Sequence, residues 1–435
     1  MVTESSAARV WYPYTQMLDL APPLEIVRGD GAWLEARDGR RYLDAISSWW
    51  VTLHGHAQPR IAAAIAAQAA RLEQVILAGC THPGAEELAQ RLVALTPAGL
   101  NHVFYSDDGS TAVEVALKMA VQCWQQRGQP QRREIVALEH AYHGDTLAAM
   151  AVSAPSPFTA AFSDWLFPVH RVHTAYCHRC PLGLQRATCH IDCLDSLEQL
   201  LRQRGDHIAA VIVEPLLQGA GGMIVQPPEF LAGVRRLCDG AGVLLIADEV
   251  LTGFGRTGTM FACEQAHISP DIMCLSKGLT AGFLPLAATL CRDEVYAAFL
   301  AADRRRTLFH GHSFTGNPLG CAAALASLEV FANEPVMERI GTIAAGHARR
   351  LARLRQHPRV GDARQAGTVA AIELVDDGGG YLAGIGPRLQ RFYREQGVLL
   401  RPLGTVLYVL PPYAISPSEL DFVWDVIAAS LDQVH

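Results

Sequence analysis

Between about residues 100 and 290, short apolar runs recur between longer stretches whose apolar positions return every three or four residues. The runs fall at 102–106, 134–138, 209–214, 243–248, 272–275 and 285–291. A strand with one wet face alternates apolar and polar positions. A run that is apolar almost throughout predicts a strand covered on both faces. Stretches 112–126 and 229–241 carry the helical period and predict amphipathic helices between strands. This alternation predicts an α/β fold around a mostly parallel sheet, in a large domain over about 61–335. Alanine and leucine at helical spacing over 61–80 predict an ordinary buried helix. Gln68, Arg71, Glu73 and Gln74 within that stretch argue against a membrane span.

The two ends are patterned differently. Strand-like runs at 24–28 and 32–36 are followed by a turn at Asp38-Gly39. After residue 335 come a long helix, 336–356, and strands at 368–374 and 406–410. Each end alone is too short for a good core. Residues 1–60 and 336–435 are therefore expected to build one smaller α+β domain together.

Composition narrows the function classes. Half of the 435 residues are hydrophobic and 18% are charged, so the chain can bury a sizeable core. Lysine and arginine number 36 against 43 acidic residues, a formal charge of −7. Such a chain has no general attraction for nucleic acid or an anionic membrane, and neither is expected as a partner. Any anion site must be local. The opening MVTESSAARVWYPYTQ lacks a basic end followed by an apolar core. With no such leader, eleven cysteines point to reduced thiols in the cytoplasm.

Candidate chemistry concentrates in two segments. LLIADEVLTGFGRTG (244–258) is an apolar run ending in Asp248, and PDIMCLSKGLTAG (270–282) is another ending in Ser276-Lys277. Residues just past the C-terminal ends of parallel strands face the ligand crevice, so both side chains are expected in one site. Burial favours the neutral, nucleophilic form of lysine, which can condense with an aldehyde. A nearby carboxylate can keep a heterocyclic nitrogen protonated and make the ring an electron sink. Together Asp248 and Lys277 meet the requirements of pyridoxal phosphate. GFGRTG (253–258) also fits G-x-G-x-x-G, but Asp248 and Glu249 directly upstream would repel a dinucleotide's pyrophosphate. A better anion site is FYSDDGSTAVEVALKMA (104–120), which reads strand, turn, helix. Gly109 permits close approach, Ser110 and Thr111 can cap the helix, and its N-terminus can bind phosphate. Asp107 and Asp108 must then point away from that phosphate.

These segments, with WYPYTQM (11–17), DGRRYLDAISSWWVTLHGH (38–56), AYHGDT (141–146), VEPLLQGAGGM (213–223), HGHSFTGNPLGCAAA (310–324) and RPLG (401–404), carry a resemblance over about residues 10–412. The chain resembles the class III, or ω-, aminotransferases, pyridoxal-phosphate enzymes of fold type I. WYPYTQM together with SSWW resembles the branch that aminates 7-keto-8-aminopelargonate to 7,8-diaminopelargonate in biotin synthesis. The resemblance implies that Lys277 is the residue that holds the cofactor and moves the proton. It implies that Asp248 faces the pyridine nitrogen, that Gly109 and Ser110 cup the phosphate, that Tyr142 stacks on the ring, and that Glu214 orients the site. Ser313, with Gly311 and His312 beside it, matches a loop that reaches the phosphate from a second subunit, which implies a homodimer. Tyr14, Trp49 and Trp50 resemble the aromatic wall of the substrate pocket. Arg401 matches the arginine that binds a substrate carboxylate, and a planar guanidinium suits that task. Asp145 and Tyr408 are further candidates for the same pocket.

Two features depart from the family pattern. Members that use S-adenosylmethionine commonly read HGPTF where this chain reads His310-Gly311-His312-Ser313-Phe314. Some relatives with HGHS take lysine as amino donor, whereas SSWW and Tyr14 favour S-adenosylmethionine. The second departure is YCHRCPLGLQRATCHIDC (176–193), in which Cys177, Cys180, Cys189 and Cys193 have spacings that can bind zinc. No catalytic metal is expected, and a structural one is left open. His54, His56, His140 and His143 are read as hydrogen-bonding residues. The other readings are a general ω-amino-acid aminotransferase, an aminomutase of the same fold, and a non-catalytic metal-binding protein.

Overall fold

The computed structural model describes residues 9–18, 22–375 and 384–433. Its centre is a seven-stranded sheet. In spatial order the strands are Leu100–Ser106, Ala287–Arg292, Ile272–Leu275, Leu244–Asp248, Ile208–Val213, Glu134–Leu138 and His170–Val172. Ala287–Arg292 runs antiparallel to both of its neighbours, and the remaining pairings are parallel. All six residues of Ile208–Val213 are buried, as are all five of Leu244–Asp248. That burial accounts for the unbroken apolar runs.

The helix Gly109–Gln126 packs across the sheet, against Ile272–Leu275, Ala287–Arg292 and Ile208–Val213. Its cap is Asp108, not Ser110 or Thr111: Asp108 Oδ1 accepts the Thr111 N–H at 2.9 Å, and Thr111 Oγ1 accepts the Asp108 N–H at 3.0 Å. A reciprocal box of this kind satisfies two donors that the helix itself leaves unpaired. The short edge strand His170–Val172 was not expected, because three residues, two of them polar, carry too little pattern.

The 61–80 stretch departs from expectation. The helix is Pro59–Ala69, only Ile61 is fully buried in it, and Ile76 beyond it is largely exposed. One side of the helix lies on Pro318–Asn333. Ala64 and Ile65 pack against the core while only partly buried.

Residues from both ends pair in space. Val398–Leu399 runs parallel to Arg41–Asp44, which continues into the hairpin of Trp33–Ala36 and Ile26–Asp30. A second sheet comprises Val360–Ala366, Val369–Leu374 and Val406–Val409, and the helices Val336–Leu354 and Pro417–Gln433 pack together nearby. Among the described residues no helix is long and apolar enough to cross a membrane.

Candidate active site

Four consecutive parallel strands converge on one edge. Lys277 lies just past Ile272–Leu275, Asp248 ends its strand, Glu214 follows Ile208–Val213, and Tyr142 and His143 follow Glu134–Leu138. Asp248 pairs in register with Cys274, so Asp248 and Lys277 leave adjacent strands side by side. All of them line a cavity of about 620 Å³, together with Gly109, Ser110, Asp145 and Trp50. Neighbouring it is a second cavity of about 430 Å³ lined by Tyr14, Trp49, Trp50, Tyr142, Asp145, Lys277, Arg401 and Tyr408. Lys277 borders both.

The polar groups are tightly organised. Asp248 Oδ2 stands 2.7 Å from His143 Nδ1, and its Oδ1 accepts the Val250 N–H at 3.1 Å. The other ring nitrogen of His143, Nε2, is buried without a partner. Glu214 Oε1 accepts the Tyr142 N–H and Oε2 the Gly219 N–H, each at 3.0 Å. Burial pushes the Glu214 carboxyl up to about 7, with Asp248 adding to the rise and His143 opposing it. Burial pulls the Lys277 amine below its ordinary value, against the attraction of Asp248 and Glu214. Lys277 Nζ lies 4.9 Å from the centre of the Trp50 ring, and its backbone takes a left-handed φ of 42°. That conformation is costly for a residue with a side chain and is held by packing around the turn.

The pocket side is aromatic. Tyr14 donates to Asp145 Oδ2 at 2.5 Å, and its ring packs edge-on to Phe158. Trp50 donates from Nε1 to the Tyr408 hydroxyl at 3.0 Å. The Arg401 guanidinium lies 4.8 Å above the Trp49 ring, an arrangement that keeps its fork available to a ligand.

Three expected residues lie outside both cavities. His312 Nδ1 is 2.9 Å from Asp107 Oδ2, the Ser313 carbonyl accepts from Gln74 Nε2, and Gly311 stands between His310 and His312. Asp107 and Asp108 thus both have partners other than an anion in the cavity. The pairing of His143 with Asp248 was not foreseen. Its only sequence signal is the position of His143 directly after Tyr142.

The family model for class-III aminotransferases matches residues 16–431. The chain belongs to the class-III aminotransferases. It is 48% identical over 432 residues to the adenosylmethionine-8-amino-7-oxononanoate aminotransferase of Synechococcus elongatus, covering 99% of this chain and 100% of that one. The enzyme of the same name from Geobacter sulfurreducens is 46% identical over 434 residues, covering 98% and 96%. Among solved structures, that of the Methanocaldococcus jannaschii adenosylmethionine-8-amino-7-oxononanoate aminotransferase superposes with a TM-score of 0.92 at 38% identity, covering 98% of this chain and 97% of that one. An amine transaminase from an uncultivated Pseudomonas species, in a PLP-bound form, gives 0.91 at 33% identity, covering 98% and 99%. The expected fold-type I architecture is borne out.

The family's cofactor is pyridoxal phosphate, and the residues present fit it. The cavity offers a buried amine held towards neutrality and a buried carboxylate braced by a histidine. It also offers a helix N-terminus with no room for extra side chains. A Cβ on Gly109 would stand 2.5 Å from Val250 Cγ1, and one on Gly144 would stand 2.3 Å from Ser110 Oγ.

Proposed function

We propose that this class-III aminotransferase makes 7,8-diaminopelargonate from 7-keto-8-aminopelargonate (8-amino-7-oxononanoate) in biotin synthesis, with S-adenosylmethionine as amino donor. The observation that carries the reading is the meeting of Lys277 and Asp248 on one cavity that adjoins the Tyr14–Trp49–Arg401 pocket. Full-length relatives that bear the name of this reaction support it.

Bound pyridoxal phosphate supplies an aldehyde that accepts the amino group and a ring that withdraws electrons from the reacting carbon. The chain's own groups do the rest. Asp248, oriented by His143, holds negative charge where the pyridine nitrogen is to stay protonated. Gly109 and Ser110 would hold the phosphate at the helix N-terminus and Tyr142 the ring, with the Tyr142 N–H donating to Glu214 Oε1. Lys277 Nζ, favoured as the neutral amine by burial, would carry the proton from the donor carbon to the aldehyde-derived carbon of the cofactor, and in the second half of the cycle from there to the acceptor carbon. Arg401 binds the acceptor's carboxylate. Tyr14, Trp49, Trp50, Asp145 and Tyr408 shape the shared pocket, so donor and acceptor enter in turn.

The working unit under this reading is a cytoplasmic homodimer in which Gly311, His312 and Ser313 of one copy reach the phosphate of the other. Phe309 and Phe314, which flank that loop, and Ile76 are largely exposed in the single chain and would be covered by a second copy. The same reading divides the chain into 1–60 and 336–435 as a small domain and 61–335 as a large one, supported by the pairing of Val398–Leu399 with Arg41–Asp44.

The test is a half-reaction. Holoenzyme mixed with S-adenosylmethionine should lose the absorbance of its bound aldehyde cofactor, and added 7-keto-8-aminopelargonate should restore it. Bleaching by lysine but not by S-adenosylmethionine would move the donor assignment, and bleaching by neither would sink the substrate assignment. Lys277→Ala should show no turnover, and substantial activity without added amine would count against the scheme.

A further inference from the structure

The segment between the strand His170–Val172 and the short turn at Asp192–Leu194 holds no helix or strand and takes no part in the site above. Unstructured connections longer than roughly 12–15 residues inside a compact chain are uncommon and usually have a function of their own. This one brings Cys177, Cys180, Cys189 and Cys193 to the wall of one small cavity, alongside Leu182, Leu184 and Arg186. All four are free thiols. The four cysteines share one cavity wall and are not split between two places on the surface.

Among the described residues, no group of three or more Cys, His, Asp or Glu side chains is placed to hold a metal ion as the side chains stand. Two of the thiols instead donate weakly to nearby carbonyls, Cys177 to Ala175 at 3.9 Å and Cys189 to Arg186 at 3.8 Å. Long sulfur donations of this sort are worth little, and releasing them frees both sulfurs to turn inward. We propose that Cys177, Cys180, Cys189 and Cys193 form a structural zinc site that closes when the metal binds. Four sulfur donors in a small, largely apolar cavity suit a tetrahedral, borderline-soft cation and not a hard, oxygen-seeking one. Binding exchanges four S–H bonds for four Zn–S bonds and releases four protons. The resulting net charge of −2 falls beside Arg186. No electron is transferred, and no co-reactant is needed.

The site would brace the wall of the substrate pocket. Tyr176, next to Cys177, donates to Glu373 at 2.5 Å and packs edge-on against His140 with ring centres 5.9 Å apart. Arg364 lies over the Tyr176 ring and donates to the carbonyls of Gly222 and Met223. His140 and Gly221 line the cavity that holds Arg401 and Tyr14.

The full-length holoenzyme, purified without chelators, should carry about one zinc per chain, and X-ray absorption at the zinc edge should find four sulfurs at about 2.3 Å. Cys177→Ser combined with Cys180→Ser should lower zinc content at least tenfold while the absorbance of bound pyridoxal phosphate remains. If that variant fails to fold, the stoichiometry and sulfur count of the native chain decide the matter alone. A native chain that takes up no added zinc while all four thiols alkylate would overturn the proposal. So would iron with inorganic sulfide at the cluster, or a mass deficit that reports disulfides.

Discussion

Glu214 is a buried acid whose ordinary value is 4.5 and whose folded-state value is pushed up to about 7, chiefly by loss of water. Between those two pH values the folded chain keeps a proton that the unfolded chain has shed. Stability then falls as pH rises through the window. A tenfold change in proton affinity is worth about 1.36 kcal/mol, so a loss of roughly 3 kcal/mol accumulates by about pH 7 and stays constant above it. Glu214→Gln removes the ionisation and keeps the shape. The amide oxygen can still accept from the Tyr142 N–H, but the amide nitrogen cannot accept from the Gly219 N–H, which loses its partner at a cost of about 1–3 kcal/mol. Urea unfolding of the cofactor-free chain and of this variant should be compared from about pH 5 to about pH 8. That loss is the same at every pH, so the stability of the variant relative to the parent should rise by up to roughly 3 kcal/mol from the acid end to the alkaline end. A difference that does not change with pH, or one that turns against the variant as pH rises, would refute the assignment of a proton to Glu214.

Arg401→Ala should raise KM for the carboxylate-bearing acceptor at least 30-fold, about 2 kcal/mol, with kcat little changed; steady-state kinetics with an unchanged KM would mean the carboxylate binds elsewhere. Gly144→Ala places a methyl 2.3 Å from Ser110 Oγ on a backbone with φ of 131°. Its affinity for pyridoxal phosphate, measured by equilibrium dialysis, should fall at least tenfold, and an unaltered affinity would remove Ser110 from the phosphate site. Arg256 is buried and donates to the carbonyls of Pro411 at 2.8 Å and Thr52 at 3.1 Å. Arg256→Met should cost about 2 kcal/mol or more in urea unfolding, because both carbonyls lose their guanidinium donor; a variant as stable as the parent would contradict this.

How much of the site was legible varied with distance along the chain. Asp248 and Lys277 could be read because each ends an apolar run, and parallel strands deliver such residues to one edge. The pairing of His143 with Asp248 could not be read, since the two are 105 positions apart and nothing in AYHGDT distinguishes a histidine that braces a carboxylate from one that caps a turn. The cap at Asp108 was misread for a related reason: Asp108, Ser110 and Thr111 are all good cap residues, and only the backbone conformation selects among them. The helix expected over 61–80 failed at Ala70, because alanine-rich periodicity describes a helix buried by its own chain and one left open for a neighbour equally well.

By itself the sequence determined the local terms: which runs must be covered on both faces, where the chain must turn, and which ionisable groups end up beside a strand terminus. These follow from periodicity and from the cost of burying a charge, and both act over a few residues. The tertiary structure alone decided the order of the strands, the rise of the Glu214 carboxyl, the pairing of His143 with Asp248 and the stacking of Arg401 on Trp49. Those depend on which distant segments exclude water from one another, and that is a property of packing that no short window of residues contains.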